Sequence, residues 1–237
     1  MSYSSVITAD TPAIWYRFVD GGLSAYRSFG SDPAYGRNNP TGESVGWTGI
    51  ATDGGAVAVN AGLSNQRALA AHTGTTAYSF EVWIWLVGVS TGSSNPPGNP
   101  FIKGTYGCGS GACGVQWATA SGPLWQGQGP TGTTLNAFTQ PFNQWTHLVI
   151  TVTVGSLITY YQDGTSAGTI TETNTTPLVP EYGITWLNAL AFSPIFIAEP
   201  AVYTYALTST QVGNHHAAAD TLAKPRPRAF PVASVCA

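Results

Sequence analysis

Charge is what this chain has least of. Only 8% of its 237 residues are Asp, Glu, Lys or Arg, against roughly 25% in an average soluble domain. The formal net charge of -3, with 8 basic residues in all, leaves no basic surface for a phosphate backbone and excludes nucleic acid as the expected partner. The basic residues cluster once, in Lys224-Pro-Arg226-Pro-Arg228, and that run has the look of a Pro-stiffened solvated tail. No apolar run approaches the 18 or so residues of a membrane-crossing helix, so no membrane insertion is expected. Met1-Ser-Tyr-Ser-Ser5 lacks a basic start followed by an apolar stretch. A secretory leader is therefore not expected, and synthesis in a cytoplasm is.

Cysteine is scarce too, with three residues. Cys108 and Cys113 flank Gly-Ser-Gly-Ala, a loop flexible enough for either a small disulfide or two free thiols. No matching Cys or His pair stands at zinc-site spacing. Catalytic signatures are equally thin. A glycosidase sets two carboxylates roughly 5–9.5 Å apart, which on one strand face means acidic residues two apart. None of the 11 acidic residues has that spacing: Glu81 stands alone in its strand and Glu199 is followed by proline. There is no Gly-x-Ser-x-Gly elbow, and the expectation is a chain that is not an enzyme.

Thr, Ser, Asn, Gln and Gly supply the polarity instead, beside 8 Trp, 11 Tyr and 9 Phe. That many aromatics suit a large sandwich core or a contact with other subunits or a ligand. Strand signals dominate. Tyr78–Val87 alternates Phe80, Val82, Ile84 and Leu86 with Trp83 and Trp85, so it is apolar on both faces and expected in the middle of a layered fold. Trp145–Val154, Leu157–Gln162 and Ala167–Thr171 are joined by Gly155-Ser156 and Asp163-Gly164 and read as a meander, the Asp-Gly pair suiting positive φ. Ala13–Val19, Ala56–Asn60, Phe101–Lys103, Gly114–Thr119, Pro123–Trp125 and Ile195–Tyr205 also read as extended, with Pro200 implying an edge or a bulge. Thr208 and Gln211 fit a capping box that opens a short helix to about Ala219. Residues 220–237 read as an extended Pro-rich tail.

The order of these segments resembles the laminin-G-like, concanavalin A-like jelly-roll family over about residues 3–219. The segments that carry it are Tyr3–Phe18, Tyr78–Trp85, Asn143–His147 with Tyr160–Gly164, and Phe196–Tyr203 with Ala206–Val212 and His216. Two departures stand out: Ala-Glu-Pro replaces the family's Ile-Asp-Glu, and Gln211 takes the place of a usual Glu. The resemblance implies an all-β, antiparallel jelly-roll sandwich with one short C-terminal helix. The variant of the opening segment is similar to those of phage tail and other virion proteins of actinobacterial viruses. It implies a virion structural protein, either a capsid decoration or a minor tail protein, that packs against other virion proteins and copies of itself. A carbohydrate-binding module for host surface glycans is the alternative, and a glycoside hydrolase the remote one.

Candidate ligand residues follow from chemistry. Sugars stack on rings and bond to amides, which singles out Trp117, Trp125, Gln126, Gln128 and Trp186, with Trp125-Gln-Gly-Gln-Gly-Pro130 the segment expected to be exposed; the same tryptophans equally suit a core or an interface. No cofactor is expected. Calcium, the family's commonest ion, needs six to eight oxygens; Asp32 and Asp53 would come first, although a turn Asp beside Ser, Pro or Gly needs no ion. His147 is expected to be a strand histidine holding a neighbouring backbone group. His215 and His216 are adjacent on a helix, point apart, and make a poor metal pair.

Overall fold

In the computed structural model, the structure describes residues 2–17, 25–26, 35–38, 43–48, 50, 55–59, 63–71, 77–86, 101–103, 114–118, 124–128, 134–135, 143–153, 157–171, 181–188 and 195–220. Helix α1 (Tyr3–Ala9) comes first. The strands are β1 (Ile14–Trp15), β2 (Ala25–Tyr26), β3 (Tyr35–Asn38), β4 (Glu43–Thr48), β5 (Gly55–Val59), β6 (Leu63–Ala71), β7 (Ala77–Leu86), β8 (Phe101–Lys103), β9 (Gly114–Ala118), β10 (Leu124–Gln128), β11 (Thr134–Leu135), β12 (Trp145–Thr153), β13 (Leu157–Gln162), β14 (Thr165–Thr171), β15 (Glu181–Asn188) and β16 (Ile195–Tyr203). Helix α2 (Ser209–Asp220) follows.

Two antiparallel sheets form a jelly-roll sandwich. The first runs β14-β13-β12-β7-β16-β5-β4, with β1 also on β16; the second runs β11-β10-β9-β8-β15-β6-β3-β2. β7 lies in the middle of the first sheet, as its two apolar faces require. Its even face, Tyr78, Phe80, Val82 and Ile84, is buried together with Leu148, Ile150 and Tyr160. Tyr160 marks the meeting of the sheets: a Cβ built on Gly127 of β10 would stand 2.9 Å from its ring. Only glycine lets the β10 backbone lie so close to that ring.

The odd face of β7 carries Ser79, Glu81, Trp83 and Trp85, all buried. They lie under the two helices, in a second apolar cluster that includes Tyr3 and Ile7 of α1, Val212 and Ala219 of α2, and Trp145 and Val149 of β12. The first sheet is thus covered on both sides. Its neighbours on β16 at this level, Ala198 and Ala201, are small, which leaves room for the helices' side chains.

Several local expectations hold. β12, β13 and β14 form the meander. Asp163 and Gly164 both take positive φ, at 49° and 77°, as a two-residue turn of this hand demands. A Cβ on Gly164 would also meet His216 at 2.9 Å, so that turn sits tightly against α2. Pro200 lies in a bulge, not at an edge: the β16 register on β7 shifts between Ala198 and Ala201, with β5 paired on the other side before the shift and β1 after it. The α2 capping box forms as read, with the Thr208 amide donating to Gln211 Oε1 at 2.9 Å and the Gln211 amide to Thr208 Oγ1 at 3.2 Å.

One expectation needs correction. The described residues hold two helices, not one, because Tyr3–Ala9 is helical where the resemblance implied extended chain. Ser2 caps it, its Oγ accepting from the Ser5 amide at 3.1 Å. Tyr3 and Ile7, four apart, bury one stripe. Val6, Ile7 and Thr8 are weak helix formers, and the stripe's burial outweighs them. Pro12 lies two residues past the Asp10 C-cap, where helix cannot continue.

Candidate functional site

The described residues bring one cluster of ionisable groups together, on the odd face of the first sheet. Glu81 is its hub. In register it sits between Val149 of β12 and Ala201 of β16, so diagonal neighbours on both flanking strands come within reach. His147 Nε2 lies 2.8 Å from Glu81 Oε1, and the Tyr3 hydroxyl donates to the same oxygen at 3.1 Å. The Tyr203 hydroxyl donates to Oε2 at 2.8 Å, and His215 Nδ1 lies 2.8 Å from it. All four partners of this carboxylate come from different elements: α1, β12, β16 and α2.

The network continues outward. His215 Nε2 meets Asp10 Oδ2 at 2.7 Å, and the Gln211 side-chain amide donates to Asp10 Oδ1 at 2.7 Å. The Tyr205 hydroxyl donates to the Asp10 carbonyl at 2.7 Å. Trp83 Nε1 donates to the Tyr3 hydroxyl at 3.1 Å, and the Trp83 ring stacks on His147 with centroids 4.6 Å apart. His216 stacks on the Trp83 ring at 5.7 Å.

Electrostatics fix the charge pattern. Burial pushes the Glu81 carboxyl up. The charge of His215 and the hydrogen bonds from His147 and His215 outweigh it, holding Glu81 well below the usual carboxylate range. Burial works against a charged His215, yet the carboxylates of Glu81 and Asp10 prevail and its pKa is pushed up to about 9. Burial first, and then the Glu81 charge, raise Tyr3 and Tyr203 well above the ordinary tyrosine range. The core is therefore an imidazolium between two carboxylates. Glu81 accepts on both oxygens, so His147 Nε2 donates to it.

This arrangement is closed. The side chains of Glu81, His147 and His215 have no exposed surface, and only Asp10, at 20%, reaches solvent. Every lone-pair direction of Glu81 that faces the network is taken up by donors. It can hold two helices on a sheet; it offers no opening for a substrate. A second buried carboxylate, Glu199, occupies the β16 bulge at φ 53° and accepts from Trp15 Nε1 at 2.7 Å, with Arg17 Nε at 3.8 Å. Among the described residues no group of three or more His, Cys, Asp or Glu side chains is arranged to hold a metal ion.

Two readings of single residues change. His147 holds a carboxylate through Nε2, where a backbone group was expected; the chain places Trp83, its register partner, so that the ring is steered towards Glu81. Gln211 is explained by its two bonds. Its oxygen serves the helix cap while its nitrogen donates to Asp10, and a glutamate would set two carboxylates against each other. Gln211→Glu is expected to lower stability by about 1–3 kcal/mol above pH 6, with much of the loss recovered near pH 4 as the new pair takes up a proton. Urea denaturation at the two pH values checks this. His215 and His216 do point apart, one to Glu81 and the other to Trp83.

The residues singled out for sugar binding fall in the second sheet. Trp117 and Trp125 are register partners on β9 and β10, and Gln126 pairs with Gln116. Trp186 lies on β15, separated from β9 by β8. Within the segment from Trp125, Gly127 is buried. Asp32, Asp53, Cys108 and Cys113 lie outside the described residues, as does the tail from 221 onward.

No protein-family model matches this sequence, and no curated protein matches it. Solved structures do match. Domain 4 of AbnA, an extracellular arabinanase of Geobacillus stearothermophilus solved with arabinotriose, is 17% identical with a TM-score of 0.59, over 87% of this chain and 98% of that one. The receptor-binding domain of botulinum neurotoxin type G is 12% identical with a TM-score of 0.59, over 87% of this chain and 51% of that one. Trypanosoma rangeli sialidase is 13% identical with a TM-score of 0.63, over 89% of this chain but 33% of that one. The chain thus spans about half the length of the toxin domains and a third of the sialidase. What these likenesses establish is the fold: a concanavalin A-like antiparallel jelly-roll sandwich.

Proposed function

We propose that this chain is a non-enzymatic carbohydrate-binding sandwich that takes neutral glycan chains. The observation that carries the reading is the match to the arabinanase domain over 98% of that domain's length, a domain solved in complex with arabinotriose. The low charge agrees, because neutral sugars are recognised by amides, hydroxyls and rings. Gln126 and Gln128 of β10, with Gln116 of β9 in register with Gln126, are the amides assigned to sugar hydroxyls. Trp117, Trp125 and Trp186 are the candidate rings, and Asp32 and Asp53 the candidate calcium ligands.

A glycan array followed by calorimetry, with and without calcium, tests it. The expected result is binding to neutral oligosaccharides without hydrolysis. Gln126→Ala with Gln128→Ala should weaken binding about tenfold or more, as expected for two lost hydrogen bonds of roughly 1 kcal/mol each. Absence of binding across the array, or sugar release, overturns the proposal.

A virion surface protein is the second reading, favoured by the 8% charge and by 28 aromatic residues, which suit close packing against neighbours. The sandwich would be its body, with capsid or tail proteins and further copies of itself as partners. Light scattering on the purified chain, alone and with candidate capsid or tail proteins, tests this; a monomer with no affinity for them rules it out.

A further inference from the structure

We propose that α1 and α2 form a proton-controlled clasp on the first sheet, closed by Glu81 and released together when His215 loses its charge. The geometry makes the two helices one unit. α1 reaches Glu81 through Tyr3 and reaches His215 through Asp10, the residue that ends the helix. α2 reaches the same carboxylate through His215 and the same Asp10 through Gln211. Neither helix can leave without breaking the bonds of the other.

Among the described residues, few titratable groups surround His215. Glu81 faces it from β7 and Asp10 from α1, while the Tyr203 ring of β16 lies 6.0 Å away. Tyr205 lies beyond, on the Asp10 carbonyl. Tyr3 and His147 meet Glu81 on its other oxygen. His216 turns aside to Trp83 and, at 3.8 Å, to Asp163. With His215 charged, one cation sits between two carboxylates. With His215 neutral, two buried or half-buried carboxylates remain without a counter-charge, and Asp10, at the end of α1, is the one that can escape to water. The high pKa of His215 adds that this state is absent near neutrality. Release bares Trp83, whose Nε1 donates to Tyr3 of α1 and whose ring stacks on His216 of α2.

The linkage sets the shape of the response. One proton bound in the closed form and lost in the open one makes opening rise about tenfold per pH unit. The rise begins at the ordinary histidine value of 6.5 and levels off near 9. Quenched-flow hydrogen exchange on the full chain, as protection factors corrected for intrinsic rate, reads this directly. Amides of α1 and α2 should lose protection together, by roughly a hundredfold from pH 6.5 to 9, while those of β12 and β13 keep theirs. In His215→Asn the fall should vanish. Loss of protection in helices and strands together, different pH profiles for the two helices, or an unchanged profile in His215→Asn overturns the clasp. Should that variant not fold, Asp10→Asn serves: its levelling point should move below that of the wild type, and an unmoved one overturns the proposal equally.

Discussion

Replacing Glu81 by alanine is expected to remove about 3–5 kcal/mol of folding stability, the usual cost of breaking a buried ion pair from one side. The reason is local. The Tyr3 and Tyr203 hydroxyls and the His147 and His215 rings all lose their acceptor, in a cluster with no water access at Glu81. A loss of that size is comparable with the whole stability of many domains, about 5–15 kcal/mol, so the variant should be largely unfolded or insoluble at 37 °C. Glu81→Gln should cost less. The amide oxygen still accepts, while the hydroxyls can rotate and His215 can become neutral to accept from the amide nitrogen. Urea denaturation of the three proteins orders them: wild type, then Gln, then Ala. Equal stability of the alanine variant and the wild type would remove Glu81 from its place as the hub.

Stability should also depend on pH with a defined sign. His215 binds its proton more tightly in the folded chain, with a value raised from 6.5 to about 9. Its contribution is complete below pH 6.5, declines as pH rises and is gone above about 9. That interval corresponds to about 3 kcal/mol. Glu81 works in the opposite sense. Its folded value is depressed, so its contribution is complete above the ordinary carboxylate value of 4.5 and declines as the solution becomes more acidic. Together the two groups place the maximum between about pH 4.5 and 6.5. Unfolding midpoints in urea from pH 4 to 10 should fall steeply on the alkaline side in the wild type and much less in Glu81→Gln.

Much of this fold was legible because its signals are local. The alternation of Phe80, Val82 and Ile84 with Trp83 and Trp85 placed β7 centrally. Asp163-Gly164 marked a turn of the right hand, and Thr208 with Gln211 marked the start of α2. The short strands β2, β3 and β11 and the long β6 carry no such alternation. They exist because the sheet edges beside them supply hydrogen bonds, and no window of sequence contains that. α1 was misread for a related reason. Its middle is poor in helix formers, and it is held by Tyr3 and Asp10, whose partners lie far along the chain.

The hub was the least legible feature. Glu81 stood alone in its strand, and its partners are 66 to 134 residues away. One clue was present: an ionisable residue on the same face as Trp83 and Trp85, in a strand expected to be buried on both sides. A carboxylate there has to find donors. The sequence held four suitable ones, in Tyr3, His147, Tyr203 and His215, but only the fold says which of its tyrosines and histidines arrive.

The most direct test of the central claim, that Glu81 and His215 form a sealed ionic core serving the fold, is a 13C NMR titration of the histidine rings of the full chain. His215 should remain an imidazolium through neutral pH and titrate near 9. A His215 that titrates near 6.5, as an exposed histidine does, would contradict the account.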